Sequence, residues 1–210
     1  MKSGAVWSSI LSKFACSYGF YMFLSKIPAY LDQAYNVDIV ENGFICAAAF
    51  GSYGLLCFLS PYLSNWMIER KKWNKLMIRK LFQAIAMLIP CICLIAITLV
   101  DDKTIMIILL IMAMLSYGFF TGGEWTMVSE YSPNFVGVIS GLIHMPGFIT
   151  GFLSPYIVGM ILDSNIGDNG DDNERFKWNI SFWISASLYF ICYLAFYFLS
   201  TVEQEYWDKI

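Results

Sequence analysis

Four ionisable side chains interrupt otherwise apolar stretches of this chain: Lys13, Lys26, Glu124 and His144. A charge inside hydrocarbon is costly, so each must reach water, find a partner or serve a function. On a helix, Lys13 shares an arc of about 100° with Ser9, Cys16 and Ser17. A cation on such a polar patch can attract an anionic solute; the alternative is that its long stem carries the ammonium to the headgroups. Lys26, beside Pro28 near the other end of the same stretch, reads as an interfacial lysine of that second kind.

His144 lies on a helical stripe with Gly137, Gly141, Gly151, Pro155 and Gly159, all within roughly 40° of one direction. Small residues let membrane helices approach closely, so this stripe is predicted to meet protein. A buried imidazole there can carry a proton or simply be packed and hydrogen-bonded. Glu124 follows Gly122 and Gly123. A carboxylate at that depth faces a cavity, where it can take part in ion coupling, or a partner that holds it in place. Tyr18 and Tyr21 can line the same pathway as hydrogen-bonding aromatics, or serve as packing and belt residues.

The elements that must position these groups follow from composition. The 210 residues are 58% hydrophobic and 14% charged, with a mean hydropathy of +0.60. The charges gather between apolar runs instead of spreading over a surface. Six runs match the roughly 30 Å hydrocarbon core at about 1.5 Å per residue: residues 5–31, 43–67, 76–100, 105–128, 136–162 and 178–201. Together they predict an all-α membrane protein, with an acidic, Gly- and Asn-rich solvated loop over 163–177. The first run is too long for a signal-peptide core and is read as a retained anchor.

With the amino terminus in the cytosol, eight basic residues fall on the cytosolic side: Lys2, Arg70, Lys71, Lys72, Lys75, Arg79, Lys80 and Lys209. Three, Lys103, Arg175 and Lys177, fall on the other side. The bias places both termini in the cytosol. A net charge of -3 gives no reason to expect nucleic acid. The six cysteines sit in apolar runs and read as small hydrophobes, not as a disulfide framework or metal site. Asn179-Ile180-Ser181 has the form of a glycosylation site but abuts the last span and is read as unused. With no nucleophile triad, metal-ligand cluster or phosphate loop in the sequence, neither catalysis nor a cofactor is expected.

Several strings, in order over nearly the whole chain, carry a resemblance: GFYMFLSKIPAYL at 19–31, NVDIVENGFICAAAFGSYG at 36–54, IRKLF at 78–82, EYSPNFVGVISGL at 130–142, GFLSPYIVG at 151–159 and EQEYW at 203–207. The chain resembles the carboxyl-terminal six helices of solute carrier family 17, the anion:cation symporters of the major facilitator superfamily, which includes sialin and sodium-phosphate cotransporters. The resemblance implies a half-bundle of two three-helix inverted repeats, whose partner is a missing amino-terminal six-helix half. It also implies a small anionic solute bound between the halves, moved by alternating access with H+ or Na+ as the coupling ion, in the plasma membrane or a lysosomal or vesicular membrane. Asn65, Arg70 and Glu130 match the family's cytoplasmic loop and gate motifs, although Asn65 stands where an aspartate is usual. Cys16 stands where the glutamate-carrying members have an arginine, and Val128 and His144 replace what are commonly a histidine and an asparagine. The rival expectation is a truncated, non-transporting membrane protein that binds or regulates a full-length relative, since Met1 falls at the start of the family's seventh helix.

Overall fold

The computed structural model describes residues 3–35, 37–164 and 172–208, and these are helical almost throughout. The long helices are α1 (Gly4–Tyr35), α2 (Ile39–Lys71), α3 (Lys75–Leu99), α6 (Val136–Asp163) and α7 (Asp172–Leu199). The fourth apolar run is two helices, α4 (Lys103–Tyr117) and α5 (Glu124–Tyr131), joined by a 3-10 turn at Gly118–Thr121. Side chains cap two starts: Asn74 Oδ1 accepts from the Leu76 amide at 3.0 Å, and Asp102 Oδ1 from the Thr104 and Ile105 amides at 2.7 and 3.1 Å.

Five of these units are long and apolar enough to cross a membrane: α2, α3, Lys103–Tyr131, α6 and Arg175–Leu199. α1 has 32 residues but is more polar, and its Ser8, Ser9, Ser12, Lys13 and Ser17 are all buried against neighbouring helices. It is the axis of the bundle: α6 and α7 pack along it, α3 packs against α7 and α4, and α2 packs against α4 and the 3-10 turn. Large apolar side chains cover the outside, Phe58 being 86% exposed, as a lipid-facing surface requires.

The span expected at 105–128 is found as Lys103–Tyr131, with an internal break where Gly122 and Gly123 press against α2 and α3: a Cβ on Gly122 would lie 2.8 Å from the Ser60 carbonyl oxygen, and one on Gly123 2.9 Å from the Gln83 nitrogen. Two sequence expectations are corrected here. The solvated stretch is shorter than residues 163–177, since α7 starts at Asp172; its middle, residues 165–171, lies outside the described residues, as do Lys2 and Lys209. The glycine stripe of α6 is not its packed face within this chain. The buried arc is Ile143, Gly147, Thr150, Ser154 and Val158, centred about 100° around the helix from the stripe. Periodicity tells which residues share a face, not which way the face points. Gly137 and Gly141 have open space where a Cβ would sit, Gly159 has only the Lys26 ammonium nearby, and Gly151 alone of the stripe's glycines makes a close contact, on the Tyr21 ring.

Candidate functional site

Lys13 lines a cavity of about 140 Å3 between α1, α2, α4 and α6, together with groups such as Ser17, Tyr21, Tyr53, Tyr117 and His144. The lysine is only 9% exposed. Its ammonium lies 4.8 Å from the centre of the Phe120 ring and 5.2 Å from that of Trp125, a cation held by aromatic faces. Among the described residues no carboxylate lies within ion-pairing distance of it. The polar patch around Lys13 is buried among helices: Ser9 accepts from the Tyr131 hydroxyl at 3.3 Å, and Ser17 packs where Gly147 of α6 leaves room.

His144 faces the same cavity. Its Nδ1 lies 2.7 Å from the Ser140 carbonyl oxygen, so this nitrogen carries the hydrogen, because a carbonyl only accepts. In the neutral ring Nε2 is then the acceptor, and it is buried without a protein partner. Trp125 packs edge-on against the imidazole with centroids 4.8 Å apart. One indole therefore touches both the lysine and the histidine.

Tyr21 lines the cavity. Tyr18 does not; it projects about 140° around α1 from Lys13 and is buried in helix packing, with its hydroxyl unpartnered. Glu124 is buried at the start of α5. The Lys13 charge acts on it, but the two make no ion pair. Gln83 of α3, which sequence reasoning missed, joins these elements: its Nε2 donates to Ser12 Oγ at 2.6 Å, and its Oε1 accepts from the Glu124 amide at 3.1 Å.

A second polar constellation lies at the end of the bundle where α1 begins and α7 ends. Arg79 of α3, 2% exposed, uses all five of its donors. Nε and Nη2 donate to Glu130 Oε1 at 3.1 and 2.5 Å, Nη1 to Ser64 Oγ at 2.6 Å and the Gly122 carbonyl at 3.0 Å, and Nη2 also to Asn65 Oδ1 at 2.9 Å. Lys75 adds a longer ion pair to the same Glu130 oxygen at 3.4 Å. Of the three residues expected at the loop and gate, Asn65 and Glu130 meet here. Arg70 does not: it is exposed in the last turn of α2, and the arginine that meets Asn65 and Glu130 is Arg79. The missed signal was on the helix, since Arg79 shares one arc of α3 with Gln83, Ala86 and Pro90.

The remaining candidates carry little chemistry. Ser181 is buried and bonded to the Lys177 carbonyl, so the sequon residues are held inside helix α7. The six cysteines are free and at least half-buried. Among the described residues no cluster of three metal-ligating side chains occurs.

The Major Facilitator Superfamily profile matches residues 1–155. A putative inorganic phosphate cotransporter of Drosophila melanogaster is 24% identical over 212 residues, covering 100% of this chain and 39% of that protein. Ovine sialin (Ovis aries) is 25% identical over 213 residues, covering 99% of this chain and 40% of sialin. A probable small intestine urate exporter of Homo sapiens is 26% identical over 212 residues, covering 100% and 41%. The chain thus spans about two-fifths of the length of these curated relatives. A profile match over most of the chain, with similarity to these transporters along the whole of this chain, places this membrane protein in the Major Facilitator Superfamily.

Proposed function

We propose that this chain supplies half of an ion-coupled anion transporter working by alternating access, with a phosphate-like or carboxylate-bearing solute drawn to Lys13. The observation that carries the reading is the Lys13 ammonium, held by aromatic rings in a small cavity and in no ion pair among the described residues. A buried cation without an ion pair is costly unless an anion visits it. Transporters of this superfamily bind solute between two six-helix halves, and two of the relatives are named for phosphate and urate, a third being sialin. His144, with a free Nε2 beside the same indole, is the group placed to exchange a proton as the anion enters. The basic residues Arg70, Lys71, Lys72 and Lys75 share the end of the bundle at which α1 starts and α7 finishes, which favours both termini in the cytosol.

The test is uptake of labelled sialate, urate or phosphate into liposomes under proton and sodium gradients. The chain alone is expected to show no saturable, gradient-driven uptake, and to gain it when combined with an amino-terminal six-helix half. In that assembly Lys13→Gln should weaken apparent affinity by about 1–3 kcal/mol, as for a lost bond to a charged group, while Lys13→Arg retains most of it. Unchanged affinity in Lys13→Gln at normal expression would overturn the role given to Lys13. His144→Asn should flatten the pH dependence of uptake, and an unaltered profile would reduce His144 to a packing residue.

A further inference from the structure

The cavity is built from α1, α2, α4 and α6, and the opposite wall of the bundle is the seam between α3 and α7. Two grooves run along that seam. The one nearer the α3 start encloses about 440 Å3 between Met77, Leu81 and Ala84 of α3 and Tyr193 and Tyr197 of α7, with Lys80 in its wall. The other, near the α3 end, encloses about 720 Å3 and is lined by groups such as Leu99, Trp183, Leu188 and Ile191, with no cation among its lining residues. The same helix pair therefore presents one apolar groove with a lysine and one without.

Lys80 does part of its work within the fold. Its ammonium donates to the Tyr197 carbonyl at 2.5 Å, one of the carbonyls left free at the end of a helix, and lies 4.8 Å from the Tyr197 ring centre. An ammonium has three donors, so the carbonyl leaves capacity at the groove. The side chain is half-buried, and the groove opens outward past Met77, 70% exposed. Arg70, Lys71, Lys72 and Lys75, all exposed, add positive charge on the neighbouring α2–α3 connection. Trp73, also exposed on that connection, and the tyrosines of the groove are the aromatic types that settle at headgroup level. An apolar slot on the lipid side of a membrane helix pair accepts an acyl chain, and a lysine at its mouth among further basic residues accepts a phosphate. A free phosphate would make no use of the apolar walls.

We propose that this groove binds one anionic phospholipid, its phosphate on Lys80 and an acyl chain along Met77, Leu81 and Ala84. The site needs only residence in a membrane and does not depend on the transport reading. It is tested by reconstituting the full chain in phosphatidylcholine vesicles with and without phosphatidylserine, extracting it in mild detergent, and counting retained lipids by native mass spectrometry. One phosphatidylserine should be retained about tenfold more often than phosphatidylcholine. K80Q should remove that preference and K80R keep it, while A84F, which fills the slot and leaves the charge, should also remove it. S187F, placed in the groove without a cation, should leave it intact. Equal retention of the two lipids by the parent, undiminished retention in A84F or in folded K80Q, or loss in S187F would each overturn the proposal. Displacement of the lipid by millimolar inorganic phosphate would overturn it too, by making the site one for free anions. Should K80Q fail to fold because α7 loses its cap, A84F and K80R decide the matter.

Discussion

The Arg79 cluster and the Lys13 cavity are both buried, both built around one cation, and opposite in how that cation is satisfied. Arg79 gives every donor to a protein acceptor on α2, α5 or the turn before α5. Lys13 makes no hydrogen bond to the protein among the described residues and rests on ring faces. In a bilayer, apolar contact between helices gains little over contact with lipid, so packing and polar bonds hold the bundle together. A saturated cation is thus a joint, and an unsaturated one leaves room for a visitor. Glu130 qualifies the contrast: one of its oxygens takes Arg79 and Lys75, while Oε2 is buried without a partner. The joint itself keeps one acceptor free.

The sharpest way to break this contrast is to remove each cation in turn. Arg79→Met leaves the Glu130 carboxylate only its longer pair to the exposed Lys75, and breaking a buried pair from one side costs about 3–5 kcal/mol. The double change Arg79→Met, Glu130→Leu should recover much of that loss, because the only charge left unpaired is the exposed Lys75. Lys13→Gln should change stability little, because losing the cation–π contacts, about 2 kcal/mol when desolvated, is opposed by removing a buried charge that has no ion pair. Thermal unfolding of the detergent-solubilised chain measures all three. If Lys13→Gln proves as damaging as Arg79→Met, Lys13 is a structural joint and the contrast fails.

Two glycines sharpen the comparison at a smaller scale. Gly122 belongs to the Arg79 cluster: its carbonyl accepts from Arg79 at 3.0 Å, and its amide donates to Ser60 Oγ at 3.1 Å. A Cβ there would meet Ser60 and Phe82 at 2.5 to 2.8 Å, part of it backbone that cannot swing away. Gly122→Ala should therefore cost about 1–3 kcal/mol, the usual penalty of overpacking. Gly141→Ala, with nothing within 4 Å, should be neutral or stabilise this chain by up to about 1 kcal/mol through helix propensity. The same Gly141→Ala change in a complete two-half transporter tests whether the open stripe of α6 faces the other half. A loss of stability or uptake confined to the assembly would show that it does.

These contrasts also mark what the sequence could tell. Hydropathy located the apolar runs because their length is set by membrane thickness. It missed the break at Gly122–Gly123, since nothing in an apolar run announces that α2 and α3 press against it. For Lys13 the sequence left two readings, a cavity cation or a lysine reaching the headgroups, because a polar patch shows only that one face of the helix differs; the cavity it lines comes from the packing of α1, α2, α4 and α6. Arg79 was not legible: it sits in a basic cluster that already had an explanation in membrane orientation, and charge counting does not distinguish a lysine reaching water from an arginine turned inward. Its arc with Gln83, Ala86 and Pro90 was available on the helix and would have separated it from Arg70. Tyr18 and Tyr21 show the same limit. Residue type made them equal, and only the position around α1 places Tyr21 in the cavity and Tyr18 in the packing.

The weakest effect expected belongs to Asp208, which ties the end of the chain to the same end of the bundle as Arg79. Its carboxylate accepts from Gln204 Nε2 at 2.8 Å and from Ser132 Oγ at 3.0 Å, and the Asn134 side-chain amide donates to the Asp208 carbonyl at 2.7 Å. Burial works against the charged form, but the bonds from Gln204, Ser132 and the backbone at Asn134 and Phe135 outweigh it and hold the carboxyl below its ordinary range. A carboxyl held low in the folded chain stabilises it fully above the unfolded value, about 3.9 for an aspartate, and loses that contribution as pH falls through the folded value. The Tyr206–Asp208 turn should therefore stay attached from neutral pH to about 4 and loosen only below that. Asp208→Asn keeps the size but not the charge, so its turn should be looser at neutral pH and show no acid step. Hydrogen exchange of the turn's amides, corrected for intrinsic rates, reads both profiles. A parent profile without an acid step, or an identical step in Asp208→Asn, would mean that the turn is held by its backbone bonds, among them the Glu205 amide to the Tyr131 carbonyl at 3.0 Å, and not by the carboxylate.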